Sequence, residues 1–307
     1  MSISKLSVTA KPFVSHYGNI VSWNVLSESL IDATANSVSS SPNVGLFSQS
    51  FLKKRSSYIL ESLERMIKKY RPIFCLQEVN DSYQESENLN HILKKFFQDR
   101  YYRVMDITFG TFDKIYPELG LMTAIPMQLY DVHSLEIKQI DVTSPNCYIW
   151  TQIQKKDSPK MINIVNTHFP AKFSDVTFMT KYTMTFIEHF HTMKNVIICG
   201  DFNTTYDNPW YNHLSDPFSA LKMSKNITTL SIQRRDRRKT HNDVFQGCID
   251  HIFWSRPLKV TLLESLPSPL SDINMLQQPQ KQDPNIIPSP SNPSDHFPLI
   301  ATIATPM

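Results

Sequence analysis

Short apolar runs that end in polar residues recur along this chain and predict buried strands. The first is Asn19–Leu26 (NIVSWNVL), and Ile73–Val79 (IFCLQEV) repeats the arrangement. Between them, Lys53–Tyr70 carries apolar residues at close to helical spacing, and Pro72 ends that helix because proline cannot continue it. The start of the chain therefore alternates strand, helix, strand.

The same rhythm continues to the end of the chain. Further strands are predicted at Leu121–Ile125, Tyr148–Gln154, Met161–Thr167, Val196–Cys199, Cys248–Trp254 and Leu299–Ile303, and further helices at Leu89–Phe97 and Thr180–His191. Ser-rich Asn36–Ser50 and Pro-rich Pro267–Ser294 are predicted to be surface loops, since strand-like runs resume after each. We expect one domain over residues 19–307, preceded by a lead segment over residues 1–18.

Composition indicates a globular, soluble protein. Of the 307 residues 41% are hydrophobic, and no apolar run reaches the ~18 to 20 residues of a membrane span. A net charge of +3 is too small to indicate a partner. The cysteines lack disulfide and metal spacing, which predicts buried thiols in a reducing, cytoplasmic setting; they are Cys75, Cys147, Cys199 and Cys248. The lead segment has no acid before Glu28, a feature of transit peptides that leaves a mitochondrial location as the alternative.

Polar residues collect where the predicted strands end. They are Asn24, Glu78, His168, Asp201 with Asn203, Asp250, and Asp295 with His296. Rigid strands can hold such groups together at one edge of a sheet. Carboxylate and amide oxygens suit Mg²⁺, whereas no third His or Cys is available to complete a zinc site. The pattern predicts an oxygen-rich magnesium site.

Each of these residues also has a purely structural reading. Gly200 to Asn203 (GDFN) is typical of a turn, because glycine accepts positive φ and Asx side chains bond their own backbone. A lone histidine such as His168 is more often a core residue, and Asp295-His296 could form a surface turn. The site is favoured because the structural readings require several coincidences along one chain.

Six motifs, in this order, resemble those of the endonuclease/exonuclease/phosphatase superfamily. They are SWNVL, LQEV, NTHF, CGDFN, CIDHIF and PSDHFPL, and the match spans essentially Ile20 to Ile303. The resemblance implies an α/β (α+β) fold of the DNase-like type, a two-layer β-sandwich flanked by helices. It also implies a metal-dependent enzyme that hydrolyses phosphodiester bonds.

The resemblance further implies a set of metal ligands and a group that activates water. Glu78 would be the main ligand of Mg²⁺, for which Mn²⁺ could substitute, with Asn24 and Asp295 helping. Asp201 would orient or deprotonate the attacking water.

The remaining site residues would act on the phosphate. Asn203 and His168 would hold non-bridging oxygens as the phosphorus becomes five-coordinate. His296 would donate to the developing negative charge, and Asp250 would orient His296. His251, beside Asp250, is expected to be structural.

Within the superfamily the motifs are most similar to the deadenylase, nocturnin and angel branch. That similarity implies that Phe245 stacks on adenine. The segment after His168 is shorter than in the deadenylases, so Pro170 or Phe173 would replace their proline contact to the base. The chain also has no leucine-rich repeat region, so we expect no complex docked through such repeats.

A basic cluster precedes Phe245 and has two readings. Its arginines are Arg234, Arg235, Arg237 and Arg238. Such a cluster forms either a solvated loop or a surface that follows a nucleic-acid backbone, since Arg and Lys displace counterions from phosphates.

The predicted function is 3′–5′ exonucleolytic trimming of poly(A) or adenosine-rich RNA. The alternative keeps the site and changes the substrate to a small adenylate, either a 2′-phosphorylated dinucleotide or 2′,5′-oligoadenylate. A DNA endonuclease or a phospholipid phosphoesterase is a further alternative, although the chain shows no amphipathic anchor for lipid. A binding module without activity is disfavoured because all the catalytic residue types are present.

Overall fold

The computed structural model describes residues 14–25, 49–79, 89–109, 119–140, 146–172, 174–220, 229–233, 243–265, 294, 296 and 298–306. The strands are β1 (Val14–Asn24), β2 (Ile73–Gln77), β3 (Tyr102–Phe109), β4 (Leu119–Pro126), β5 (Tyr130–Gln139), β6 (Cys147–Lys155), β7 (Met161–His168), β8 (Val196–Asp201), β9 (Ser219–Ala220), β10 (Thr229–Gln233), β11 (Asp243–Gly247), β12 (Asp250–Trp254), β13 (Lys259–Ser265) and β14 (Leu299–Pro306). The helices are α1 (Gln49–Tyr70), α2 (Leu89–Gln98), α3 (Val176–Glu188) and α4 (Tyr211–Ser215).

Two six-stranded sheets form the framework. The first has the order β13-β14-β1-β2-β4-β3, and the second has the order β5-β6-β7-β8-β12-β9. Strands β1 and β2 are parallel, as are β7 and β8, whereas the other pairs within the two sheets are antiparallel. Strands β10 and β11 form a separate two-stranded sheet.

The central strands are buried on both faces, which explains their continuous apolar sequence. Ile73 and Cys75 of β2 belong to the core between the two sheets, whereas Phe74 and Leu76 belong to the core that includes α1 and α2. Strand β8 alternates in the same way between the inter-sheet core and the core under α3. The predicted sandwich with helices on both outer faces is confirmed.

The strands that the sequence pattern missed lie mostly at sheet edges. Strands β3 and β13 are the two edges of the first sheet, and β5 is an edge of the second. An edge strand such as β5 is only partly buried, so polar residues interrupt its apolar pattern. Three predicted elements start four or five residues earlier than the pattern indicated. Strand β1 begins at Val14 rather than Asn19, α1 begins at Gln49 rather than Lys53, and α3 begins at Val176 rather than Thr180.

The four cysteines lie in or beside the core. Cys75, Cys199 and Cys248 are buried, Cys147 is half-buried, and none of the four forms a disulfide. Among the described helices, none combines the length and apolar composition needed to cross a membrane. Most of both predicted surface loops, Asn36–Ser50 and Pro267–Ser294, lies outside the described residues.

Candidate active site

The topology brings the predicted site residues to one edge of the sandwich. Asn24 ends β1, and Glu78 directly follows the parallel neighbour β2. In the second sheet, His168 ends β7 and lies in register with Asp201 at the end of parallel β8. Strand β12 runs antiparallel to β8, so its first residue, Asp250, pairs with Asp201. Five residues from distant parts of the chain therefore meet at one edge.

Two predicted site residues, Glu78 and Asn203, have a backbone conformation that residues other than glycine seldom adopt. Glu78 has φ 58° and Asn203 has φ 46°, both in the left-handed region. Asparagine tolerates this region, and the Asn203 N–H donates to Asp201 Oδ1 at 2.8 Å. Next to Glu78, the Val79 N–H donates to the Gly120 carbonyl at 3.1 Å. A Cβ on Gly120 would lie 1.5 Å from the Val79 carbonyl oxygen, so only glycine permits this approach.

A second glycine allows β7 and β8 to approach closely beside the site. A Cβ on Gly200 would lie 1.9 Å from the Thr167 carbonyl oxygen. Thr167 and Gly200 are paired across the two strands, immediately before His168 and Asp201. The glycine of the GDFN turn therefore has a packing role of its own: it allows the imidazole and the carboxylate to lie side by side.

The Asn24 side chain joins the two sheets. Its amide nitrogen donates to Glu78 Oε1 at 2.8 Å and to Asp201 Oδ2 at 3.0 Å. His168 lies against the same two carboxylates, with Nε2 3.9 Å from Glu78 Oε1 and 3.7 Å from Asp201 Oδ2. All four side chains are buried, so these polar groups face one another within a small volume.

Asp201 lies between two imidazoles. The Nε2 atom of His296, like that of His168, is 3.7 Å from Asp201 Oδ2. The other ring nitrogen, Nδ1, lies 2.9 and 3.1 Å from the two oxygens of Asp250. A carboxylate oxygen accepts in such a bond, so the hydrogen resides on Nδ1, and Nε2 is the ring nitrogen left on the side of Asp201.

The Asn203 amide is oriented by the backbone. Its nitrogen donates to the Phe169 carbonyl at 2.8 Å, and this bond identifies which end is the nitrogen because a carbonyl can only accept. The same nitrogen is 3.2 Å from His168 Nε2. Asn203 and His168 therefore present polar atoms to a common point beside Asp201.

The electrostatics of the cluster favour a bound cation. The pKa of Asp201 is raised to about 6, mainly by burial and to a smaller extent by the neighbouring Asp250, while His296 and His168 oppose the rise. Within the described part of the chain, the ionic partners of Asp201 are these two histidines, with no lysine or arginine. A buried carboxylate in such surroundings is stabilised by a metal ion.

The donor atoms fit an ion of the oxygen-preferring kind. Glu78, His168 and Asp201 each offer one atom, and these atoms lie within 4.8 Å of one another. Asp201, Asp250 and His296 form a second such group, which shares Asp201 with the first. The set contains three carboxylates and no thiolate, which matches hard cations rather than soft ones.

Several predicted site residues are not placed by the structure. Asp295, Phe173 and the arginines at 234, 235, 237 and 238 lie outside the described residues. Phe245 lies on β11, where its backbone pairs with Ser231, but the structure does not describe its side chain. Pro170 is buried directly after the His168 segment.

The structure also reveals polar side chains beneath the site that the sequence reasoning did not single out. Asn166, buried in β7, donates to the carbonyls of Leu76 and Met122 at 3.2 and 3.0 Å and accepts from Gln77 Nε2 at 2.8 Å. These bonds join the two sheets below Glu78 and His168. In the sequence, Asn166 could have been noticed as a polar residue inside a predicted buried strand.

His251 has a structural environment, as expected. Its Nε2 bonds the Thr204 carbonyl at 2.7 Å, and its ring packs among Phe202, Tyr206 and Tyr211. Burial lowers its pKa from 6.5 to about 4, the bond to Thr204 and the nearby Asp250 opposing this.

The lowered pKa of His251 predicts that the folded protein loses stability in acid. Because the folded pKa lies below the unfolded one, the unfolded chain binds more protons between pH 6.5 and 4, and stability falls as the pH falls through that window. His251→Gln should remove up to roughly 3 kcal/mol of this pH dependence. The test is the melting temperature against pH for wild type, His251→Gln and the exposed control His133→Gln. Equal slopes for the wild type and His251→Gln would contradict the prediction.

A sandwich with carboxylates, amides and imidazoles converging at one edge suits metal-dependent phosphoester hydrolysis. The family model described as the Endonuclease/Exonuclease/phosphatase family matches residues 21–296. The chain belongs to this family, whose enzymes are metal-dependent hydrolytic phosphoesterases, either nucleases or phosphatases. No curated protein sequence matches the chain.

Solved structures share the fold over nearly the whole chain. The structure of ANGEL2, described as a 2′,3′-cyclic phosphatase and bound to adenosine-2′,3′-vanadate, is 15% identical with a TM-score of 0.65, over 97% of this chain and 99% of that one. The human Nocturnin catalytic domain with bound sulfate is 17% identical with a TM-score of 0.64, over 96% and 97%. TDP2 from D. rerio, complexed with a single-strand DNA product, is 16% identical with a TM-score of 0.54, over 94% and 98%.

Proposed function

We propose that the protein is a Mg²⁺-dependent phosphodiesterase that removes nucleotides from the 3′ end of adenosine-rich RNA. The observation that carries the proposal is the position of Asp201. Its Oδ2 atom accepts from Asn24, which also binds Glu78, and it lies 3.7 Å from the Nε2 atoms of both His168 and His296. One buried carboxylate thus lies close to a proposed metal-ligand pair and to two imidazoles.

The ligand roles follow from the donor atoms. Glu78 is the main proposed ligand, helped by Asn24 and by Asp295, which lies outside the described residues. When bound, Mg²⁺ or Mn²⁺ supplies positive charge that neutralises the anionic phosphate. The left-handed backbone at Glu78 and its hydrogen bond from Asn24 hold the carboxylate in place before the ion arrives.

The remaining residues are proposed to act on the water and the phosphate. Asp201 orients the attacking water and accepts its proton. Asn203 and His168, whose nitrogens are 3.2 Å apart, hold the non-bridging oxygens. His296 donates a proton to the leaving oxygen, and Asp250, bonded to its Nδ1 atom, keeps Nε2 directed towards the reaction.

The choice of RNA rests on sequence motifs and on similarity. The motifs are most similar to the deadenylase branch, and two structures with the same fold are those of ANGEL2 and Nocturnin. The cytoplasmic location proposed from the cysteine pattern is compatible with an RNA substrate.

A small adenylate is the second candidate. It is favoured by the similarity to a structure that holds adenosine-2′,3′-vanadate, a small adenosine ligand. The candidates in this class are 2′,5′-oligoadenylate, a 2′-phosphorylated dinucleotide and an adenosine-terminated 2′,3′-cyclic phosphate.

A substrate panel tests the proposal. The purified protein is incubated with Mg²⁺ or Mn²⁺ and poly(A) RNA, mixed-sequence RNA, single-stranded DNA, 2′,5′-oligoadenylate, NADPH, a 2′,3′-cyclic phosphate RNA end and sphingomyelin. We expect the fastest release of 5′-AMP from poly(A), with EDTA abolishing it and Zn²⁺ not restoring it. Faster turnover of a small adenylate would select the second candidate, and full activity in EDTA would reject the metal-dependent mechanism.

The substrate-binding residues give a further prediction. If the ring stacks on a base, Phe245→Ala should lower kcat/KM on adenosine substrates by an amount that corresponds to a loss of roughly 1–3 kcal/mol of binding to the transition state. Neutralising Arg234, Arg235, Arg237 and Arg238 should weaken RNA binding and flatten its salt dependence, since fewer counterions are released. The measurement is the RNA dissociation constant at several salt concentrations, with 2′,5′-oligoadenylate as the short control. An unchanged salt slope would remove the arginines from the RNA surface.

A further inference from the structure

The backbone of His296 is held on both sides by side chains that belong to two of the sequence motifs. Its N–H donates to Ser294 Oγ at 3.1 Å, and its carbonyl accepts from the indole Nε1 of Trp23 at 3.0 Å. Trp23 stands in SWNVL and Ser294 in PSDHFPL, and neither has a role in the proposed chemistry. We refer to these two side chains as the His296 anchor.

The anchor attaches His296 to the strand that carries Asn24. The Ser294 hydroxyl donates to the Asn24 carbonyl at 2.7 Å while it accepts from His296, so one hydroxyl joins the two backbones. Trp23 immediately precedes Asn24 in β1. Both attachment points are therefore at the end of a single strand of the first sheet.

The bonds of the anchor are made in the protein interior. Ser294 is fully buried, and Trp23 and His296 are 3% and 6% exposed. A hydrogen bond at such a position defines geometry strongly, because water does not replace it when it is lost.

The imidazole is consequently held from both sheets. Its backbone is attached to β1 of the first sheet, and its Nδ1 atom is bonded to Asp250 of β12 in the second. We propose that Trp23 and Ser294 are positioning residues that set the place of His296 relative to Asp201, where Nε2 is now 3.7 Å from Oδ2. The inference rests on the proposed function, in which His296 donates the proton to the leaving oxygen.

Two variants test the anchor by removing its hydrogen bonds, Ser294→Ala with little loss of volume and Trp23→Phe with loss of part of the indole ring. Ser294→Ala removes both bonds of the hydroxyl and should lower kcat about 10- to 100-fold, because small displacements of a reacting group have effects of this size. Trp23→Phe keeps a ring in the core under α1 and α2 but loses the N–H, and it should lower kcat roughly five-fold. KM should stay within about two-fold in both, since His296 acts in the transition state. The substrate is the phosphoester of the panel that is turned over fastest.

A double-mutant cycle separates positioning from general destabilisation. If the anchor acts through His296, adding Ser294→Ala to His296→Ala should lower kcat no further. Matched controls lose similar bonds away from the site. Ser255→Ala removes a buried hydroxyl that accepts from the Val196 N–H at the opposite end of β8, and Trp150→Phe removes an indole bond to Asn163. We expect both controls to retain kcat.

A crystal structure of Ser294→Ala gives a readout that does not need turnover. We expect the His296 imidazole to move away from the Asp250 carboxylate. An unmoved imidazole together with unchanged kcat, or an equal loss of kcat with and without His296, would overturn the anchor. If His296→Ala itself keeps full kcat, or if no compound of the panel is turned over, the proposed function fails. The position of the imidazole in Ser294→Ala then tests by itself whether the anchor places His296.

Discussion

Replacing Glu78 with alanine is expected to lower kcat by about 10³-fold or more on every phosphoester that the protein hydrolyses. A metal ion contributes several kcal/mol to stabilisation of charge in such reactions, and each ~1.4 kcal/mol corresponds to a factor of ten. Glu78 lies after β2, and its carboxylate faces Asn24 and His168 rather than the apolar core. The fold should therefore survive the substitution.

Metal binding can be measured without turnover. A ligand that binds only the folded state raises the melting temperature, so Mg²⁺ or Mn²⁺ should stabilise the wild type and fail to stabilise Glu78→Ala. Glu78→Gln keeps an acceptor for the Asn24 amide and loses the charge, so it should behave like the alanine variant. The exposed residue Glu61 on α1 supplies the control, and Glu61→Ala should keep both activity and metal-induced stabilisation. A normal metal response in Glu78→Gln would remove Glu78 from the ligand set.

The second large effect is expected at Asp201 and His296. Asp201→Asn and His296→Ala should each lower kcat by about 10²- to 10⁴-fold, the usual contribution of a positioned acid or base. KM should change little, because both groups are proposed to act mainly in the transition state. Asp250→Asn should be nearly as harmful, since Asp250 holds the Nδ1 atom of His296. The measurement is steady-state kinetics on the fastest substrate, and a raised KM with unchanged kcat would make these residues substrate binders.

The Asp201 carboxylate should lower the stability of the metal-free protein at neutral pH, although it is needed for activity. Its folded pKa of about 6 exceeds the ordinary value of 3.8, so the folded state holds the proton more tightly. Stability of the metal-free protein is therefore greatest below pH 3.8 as far as this group is concerned, and it declines as the pH rises through about 6. Asp201→Asn removes a decline of up to roughly 3 kcal/mol.

The melting temperature provides the test of this stability effect. In EDTA at pH 7.5, Asp201→Asn should melt above the wild type, and the difference should shrink towards pH 4. The single amide oxygen of the variant can accept from the Asn203 N–H but then loses the bond from the Asn24 amide, and this loss lowers stability by a similar amount at both pH values. A difference in melting temperature between variant and wild type that is the same at pH 4 and pH 7.5 would contradict the raised pKa of Asp201.

Local sequence was sufficient to find the central strands and the polar residues at their ends. Strands β2 and β8 are covered by a sheet on one face and helices on the other, so they appear as short apolar runs. A polar residue such as Glu78 or Asp201 is conspicuous directly after such a run. The partly buried edge strand β5 carries no comparable contrast and was missed.

The sequence by itself determined which strands are buried and which residue types stand at their ends. Only the tertiary structure decided which of these residues meet: Asn24 between the carboxylates of Glu78 and Asp201, and Ser294 between the backbones of Asn24 and His296. The reason is that an apolar pattern records the burial of each strand separately. The order of strands in a sheet, their register and the packing of one sheet on the other depend on contacts between residues that are far apart in the chain.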